Sequence, residues 1–378
     1  MRKIYLDNAA TTPMDVEVID VMQQSMVANF GNPSSTHQFG RTAKSSVETA
    51  RKNIAQHFNV TASEIIFTAG GTEADNLILQ NAVTNLGVQT IITSKVEHHA
   101  VLHTVEYLKE TYQIEVVYVP VDEVGSVNLQ ELDALLSNTS TKTLVSLMYV
   151  NNEIGNLLSL DEVANICKKH DALFHSDTVQ GIGHYPIDLQ KTPIDFIAAS
   201  AHKFHGPKGV GFAYFKKGFG IKPMLHGGDQ EKGARSSTEN VHSILGMEKA
   251  LDIAVSTMDT DAKYLTELKL YFINELQACF PTVAFNGLSS NLEKSSYTIL
   301  STRFSVQNEL LFFSLDLAGI AVSGGSACQS GSNGGSHVLN AFLSPEHAAN
   351  TSVRFSFSKN TTKEEIALTI EKLQELLS

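Results

Sequence analysis

No stretch of this 378-residue chain approaches the roughly 20 consecutive apolar residues of a membrane-spanning helix, so a membrane protein is not expected. The opening Met1-Arg2-Lys3-Ile4-Tyr5-Leu6-Asp7 meets a carboxylate after three apolar residues and leaves no core for a secretion signal; the cytoplasm is the expected compartment. Cysteine is scarce. Cys167, Cys279 and Cys328 are an odd set without metal-like spacing, which argues against a disulfide framework. Positive charge is in deficit, with 28 Lys and Arg against 40 Asp and Glu. The formal net charge of −12 disfavours direct binding of nucleic acid, whose phosphates call for basic side chains. No internal repeat is apparent.

What the chain does have is the length for two cores and the composition of an ordinary globule, 42% apolar and 18% charged. From about residue 60 to 215, short β-rich runs alternate with amphipathic stretches. The runs are Ile65-Ile66-Phe67, Ile91-Ile92-Thr93, Val116-Val117-Tyr118-Val119, Leu144-Val145-Ser146-Leu147, Leu173-Phe174 and Phe196-Ile197-Ala198-Ala199. Such alternation predicts an α/β fold with a mostly parallel sheet covered by helices. In the stretch 161–167, Val163, Ile166 and Cys167 fall on one helical face, so Cys167 reads as packing; Cys279, beside Phe280, reads the same way. Beyond Gly233 the pattern changes to long helical stretches over 240–280, a strand over 297–300, a helix over 309–315 and a strand over 353–357. The capping-box pattern Thr362-Lys-Glu-Glu365 announces a last helix. A large domain over 16–255 and a smaller α+β domain from 1–15 and 256–378 are expected.

The strongest chemical signal is a pair, Asp177 and Lys203, each set just past a short apolar run. Two neighbouring buried strands would deliver both at one sheet edge. A pyridoxal phosphate (PLP) enzyme needs that combination, since the cofactor's aldehyde wants an amine and its ring nitrogen wants a carboxylate. Taken singly, Lys203 reads equally as a surface lysine and Asp177 as a turn residue. Against this, Ser200-Ala-His-Lys203 adjoins an apolar run and is followed by Gly206, Pro207 and Gly209, which predicts a buried amine of lowered pKa.

Other features gather around the pair. Ala69-Gly70-Gly71-Thr72-Glu73 is a glycine turn feeding a helix N-terminus, where free N–H groups suit a phosphate that Ser200 and His202 would also reach. His98 follows the run 91–93 and is a candidate to lie on the cofactor ring and carry a proton, or else an ordinary helix-start histidine. His99 and His103 are four apart on an expected helix, a spacing zinc sites also use, but a third ligand is not evident nearby and no metal is expected. Cys328 sits in the 14 residues 323–336, of which five are Gly and five Ser. Without a large apolar residue, this loop is expected to be mobile or disordered, and a solitary thiol there is poor packing and a candidate nucleophile, or else an accidental surface thiol.

At this point the sequence resembles the cysteine desulfurases of the class V aminotransferase group, within fold type I of the PLP enzymes. The resemblance runs nearly end to end. It rests on Tyr5-Leu-Asp-Asn-Ala-Ala-Thr-Thr-Pro13, Phe30-Gly-Asn-Pro-Ser34, Thr72-Glu73-Ala-Asp-Asn76, Glu97-His98, Val150-Asn-Asn-Glu-Ile-Gly155, Ser200-Ala-His-Lys203, His226-Gly-Gly228, Arg235-Ser-Ser-Thr238, Ser326-Ala-Cys328 and Val353-Arg-Phe-Ser356. It implies a large domain with a mostly parallel seven-stranded sheet and a smaller domain carrying the cysteine loop. It implies that Lys203 binds PLP covalently, Asp177 pairs with the ring nitrogen, Gln180 bonds the phenolic oxygen and His98 stacks on the ring. The phosphate would be held at Gly71, Thr72, Ser200 and His202, with Thr238 reaching over from a second subunit of a homodimer. Asn152 would lie at the cofactor edge, and Arg354 and Asn32 would hold the substrate carboxylate. The implied reaction turns L-cysteine into L-alanine and leaves the sulfur on Cys328 as a persulfide. An acceptor protein, such as an iron-sulfur scaffold or a sulfur carrier, would then collect it. Thr178 departs from the alanine that members often show after this aspartate.

Two rivals stand beside this reading. One is a selenocysteine lyase or a true aminotransferase of the same fold; the loop cysteine favours desulfuration, since an aminotransferase needs no thiol there. The other is a PLP-binding scaffold without catalysis, against which the joint presence of Lys203, His98, Arg354 and Cys328 argues.

Overall fold

Strands form here where β-branched and aromatic residues can be buried on both faces. The computed structural model describes residues 3–324 and 335–377. Its strands are β1 (Ile4–Tyr5), β2 (Ile65–Thr68), β3 (Thr90–Ser94), β4 (Glu115–Val119), β5 (Thr143–Ser146), β6 (Leu173–Asp177), β7 (Phe196–Ser200), β8 (Gly211–Phe215), β9 (Ala284–Phe285), β10 (Ile299–Arg303), β11 (Ile320–Ala321) and β12 (Ser352–Ser356). Seven of them make one sheet in the order β2-β8-β7-β6-β5-β3-β4. β4, β3, β5, β6 and β7 pair in parallel. β8 runs antiparallel to both β7 and β2. The expectation of a mostly parallel sheet holds, and the exception has a simple cause. Between Ser200 and Gly211 the chain is too short for the crossover of a dozen or more residues that a parallel strand requires, so it turns back.

Helices cover both faces, with core on each side: Val145, Phe174, Ile197 and Phe212 on one, Ile91, Leu144, Phe196 and Ala213 on the other. The helical stretch expected over 240–280 is one 39-residue helix, Val241–Cys279, whose Asn240 side chain accepts from the Ser243 N–H. Its first half packs Met247 and Leu251 into the sheet's core. Its second half packs Leu268, Phe272 and Leu276 into a separate core with Leu300, Phe355 and Leu373. The three-stranded antiparallel sheet β12-β10-β9 belongs to that second core. The capping box is formed: Thr362 N–H donates to Glu365 Oε2 at 3.0 Å and Glu365 N–H to Thr362 Oγ1 at 3.3 Å. The helix expected over 309–315 sits slightly later, at Leu311–Leu317. Cys167 is buried in the sheet's core and Cys279 is half-buried against the second core, so both pack as the sequence suggested. Among the described residues no helix is long and apolar enough to cross a membrane.

The N-terminal segment joins the two cores. β1 pairs with β11, Ser356 N–H donates to Leu6 O, and Asn8 Nδ2 donates to Ser356 O. Residues 4–10 are thereby carried across to the C-terminal edge of the large sheet, where ligands bind in open α/β sheets.

Candidate active site

β6 ends at Asp177 and β7 at Ser200, in neighbouring parallel register with Asp177 opposite Ala198. The turn after β7 then presents Lys203 beside Asp177, as the apolar runs predicted. Gly71, Thr72, His98, Asn152, Asp177, Gln180, Ser200, His202, Lys203 and Arg354 all line one cavity of about 220 Å³. Two predicted residues lie elsewhere. Asn32 is exposed, and its Oδ1 accepts from the Ser34 N–H. Thr238 is exposed and lines a different cleft, with Phe67, Arg235 and Glu239. Cys328 lies outside the described residues.

Lys203 is half-buried rather than fully enclosed, and its Nζ donates to Ala9 O at 2.6 Å and Ala10 O at 3.0 Å. Gln180 Nε2 donates to the same Ala9 carbonyl at 2.8 Å. Both acceptors belong to the N-terminal segment, almost 200 positions away in sequence, so no local pattern announced them. Asp177 is buried and its Oδ1 accepts from Val179 N–H at 2.9 Å. Burial pushes its carboxyl up to about 6, against the opposing pull of that hydrogen bond and of the Lys203 charge. An ionised Asp177 therefore wants a cation beside it.

Two more buried carboxyls surround it, which sequence reasoning did not single out. Asp75 lines the cavity and is held well above the usual carboxylate range, first by burial and then by the nearby charge of Asp177. Glu97 accepts from Met148 N–H at 2.9 Å and is pushed up to about 8, again chiefly by burial. Both lie inside motifs quoted above, which were the available signal.

His98 is the N-cap of the helix His99–Tyr112, and its Nδ1 accepts from Ala100 N–H at 3.1 Å. Burial, helped by Lys203, lowers its pKa to about 4, so the ring is neutral and carries its proton on Nε2. His99 and His103 stack at a ring-centroid distance of 4.7 Å, and His337 adds a third ring 4.3 Å from His99. Among the described residues no group of three or more His, Cys, Asp or Glu is arranged to hold a metal.

One end of the cavity is the N-terminus of the helix Gly71–Thr84. Its N-cap is Gly70, which makes no side-chain cap bond and leaves first-turn N–H groups for an anion. Ser200 is buried beside it, and His202 Nδ1 lies 3.2 Å from Thr11 Oγ1. At the other end is the Arg354 guanidinium, whose Nη1 donates to Asn152 O at 2.9 Å and Nη2 to Asp7 Oδ1 at 2.8 Å. An amine, a buried carboxylate, a neutral imidazole, an anion-ready helix end and an arginine fork thus converge on one space.

The chain is similar to known proteins along its whole length. Residues 4–368 match the family model described as aminotransferase class-V. The cysteine desulfurase IscS of Dictyoglomus turgidum is 42% identical over all of this chain and 95% of its own length. A solved structure described as a NifS-like protein is 37% identical, covers all of this chain and 99% of its own, and superposes with a TM-score of 0.91. Another, SspA in complex with cysteine, is 29% identical over 96% of this chain and all of its own, with a TM-score of 0.81. With the family model matched over residues 4–368 and a curated relative 42% identical along the whole chain, the chain belongs to the class V aminotransferase family.

Proposed function

We propose that this protein is a PLP-dependent cysteine desulfurase that converts L-cysteine to L-alanine and passes the sulfur to Cys328. The convergence of Lys203, Asp177, the uncapped helix end at Gly70 and Arg354 on one cavity carries the reading, and it suits each part of the cofactor and the substrate. The phosphate belongs at Gly71, Thr72, Ser200 and His202, the ring nitrogen at Asp177, the phenolic oxygen at Gln180 and the ring face at His98. When bound, the cofactor supplies an aldehyde that takes up an amine and a ring that absorbs negative charge from Cα.

The chain's own residues do the rest. Asp177 holds the proton on the ring nitrogen, because a carboxylate next to a cation favours both charges. The Lys203 amine removes the Cα proton and later returns one. Neutral His98 keeps a proton on Nε2 for transfer within the cavity. Arg354 receives the substrate carboxylate, with Asn152 beside it. The Cys328 thiolate attacks the substrate sulfur: a new S–S bond forms, the Cβ–S bond breaks, and the electron pair stays on the three-carbon fragment, which gains a proton and leaves as L-alanine. The proton balance closes with the thiol proton of Cys328 passing to that fragment.

A homodimer fits the exposed apolar side chains Val16, Met26, Val27, Phe30 and Phe39, and places Thr238 at a partner's phosphate. The two-domain division at about residues 15 and 255, the cytoplasmic setting and a sulfur-acceptor protein complete the proposal. The test is sulfide and alanine production from L-cysteine by the purified protein with PLP supplied. Lys203→Ala should abolish turnover and the covalent cofactor adduct that borohydride fixes on the wild type; a variant that still forms the adduct would refute the assignment.

A further inference from the structure

Arg354 is buried in the middle of β12, yet the chain holds it from an unexpected side. The guanidinium has five N–H groups. Nη1 is fixed by Asn152 O at 2.9 Å and Nη2 by Asp7 Oδ1 at 2.8 Å, while Nε has no partner among the described residues. One N–H therefore remains on each terminal nitrogen, and Arg354 lines the cavity, so two donors are left there for a carboxylate. Asp7 Oδ1 is itself pinned, because it also accepts from Ser323 Oγ at 2.8 Å. Ser323 is tied to the backbone of Arg354: Arg354 N–H donates to Ser323 O at 2.7 Å and Ser323 N–H to Arg354 O at 3.3 Å. Asp7 in turn is placed by the N-terminal segment that caps Lys203, through Ser356 N–H to Leu6 O. The side chain of Arg354 is thus clamped by two oxygens that leave one N–H unused on each terminal nitrogen.

We propose that Asp7 is a positioning residue for substrate recognition: it fixes the Arg354 fork so that the fork presents two N–H groups to the carboxylate of an incoming amino acid. The inference rests on Arg354 being the carboxylate holder and adds the residue that sets its aim. Asp7 does not touch the reacting atoms. A long, flexible arginine that had to be ordered by the substrate would bind it less tightly, so the clamp works by preorganisation. The negative charge of Asp7 opposes that of the arriving carboxylate, which makes its oxygen geometry the useful part; asparagine, with the same carbonyl oxygen, should largely replace it.

The test uses the holoenzyme and three ligands: L-cysteine, 3-mercaptopropionate, which has the carboxylate and thiol without the amine, and 2-aminoethanethiol, which lacks the carboxylate. Steady-state kinetics follow the first, calorimetry the second, and absorption titration the third. Asp7→Ala should raise the KM for L-cysteine and the Kd for 3-mercaptopropionate by about tenfold, the scale of a lost contact to a charged group, with kcat within about twofold. The affinity for 2-aminoethanethiol should not change, and Asp7→Asn should restore both carboxylate ligands to within about threefold of wild type. A loss shared by 2-aminoethanethiol, or one confined to kcat, would make Asp7 a structural residue and overturn the inference. So would unaltered binding of both carboxylates in Asp7→Ala when Arg354→Gln weakens them. If Arg354→Gln leaves 3-mercaptopropionate unaffected, the carboxylate role of Arg354 itself falls, and this inference with it.

Discussion

Glu97 shows what burial does to a single carboxyl in this molecule. It is almost wholly buried, its Oε2 has no partner among the described residues, and burial leads the causes that lift it from 4.5 to about 8. Between those two values the folded chain keeps a proton that the unfolded chain releases, so this group's contribution to stability falls as pH rises from about 4.5 to about 8. Glu97→Gln, which cannot ionise, should flatten the decline; thermal melts of the apoprotein across that window would show the variant gaining on wild type toward alkaline pH. An identical decline in both proteins would mean that the slope arises elsewhere. Residues of this kind were the hardest to read from sequence. Lys203 and Asp177 were legible because each follows an apolar run that dictates a strand. Asp7 ends a short apolar stretch and lies in a quoted motif, but no role was read for it, because its partners Arg354 and Ser323 lie more than 300 positions away. A side chain whose role is set by long-range contacts leaves no local pattern.

At the scale of elements, β6, β7 and the helix Gly71–Thr84 meet at the glycine turn. Six of the seven strands of the large sheet were visible as β-rich runs, and the seventh, β8, was not named, since its short Gly-Phe-Ala-Tyr-Phe run declares neither direction nor partner. Gly71 marks how tightly these elements close. A Cβ built there would lie 2.6 Å from Val179 Cγ2 and 3.6 Å from Ser200 Cβ. Gly71→Ala should therefore push the helix N-terminus away from Ser200 and weaken cofactor binding, by roughly tenfold if about 1–2 kcal/mol of strain is involved. Fluorescence titration of the apoprotein with PLP measures this, and Val179→Ala in the same chain should recover most of the loss. Undiminished affinity in Gly71→Ala alone would show that the turn does not hold the phosphate.

For the whole molecule, the long helix Val241–Cys279 spans two hydrophobic cores, and the N-terminal segment passes between them to reach the site. The change in sequence pattern after Gly233 falls where the long helix begins, but nothing in it announced that the N-terminal Ala9 and Ala10 would supply carbonyls to Lys203. The exposed apolar side chains of the helix Val16–Ala28 and of Phe30 and Phe39 lead to an association prediction. Sedimentation equilibrium should give twice the chain mass at micromolar concentration, and charged substitutions at Val27 and Phe30 should produce a monomer. A monomeric wild type would remove the second subunit's Thr238 from the proposed phosphate site.

The central claim is that the sulfur of L-cysteine passes to one thiol of this chain. The measurement is mass spectrometry of the protein after brief exposure to L-cysteine, with Cys328→Ser alongside. Wild type should carry one extra sulfur atom on the peptide containing Cys328. Cys328→Ser should still bind L-cysteine with a change in absorption but make neither persulfide nor alanine, since a hydroxyl is a far weaker nucleophile and cannot hold a second sulfur. Extra sulfur on Cys167 or Cys279 instead, or alanine at the wild-type rate from Cys328→Ser without added thiol, would contradict the account.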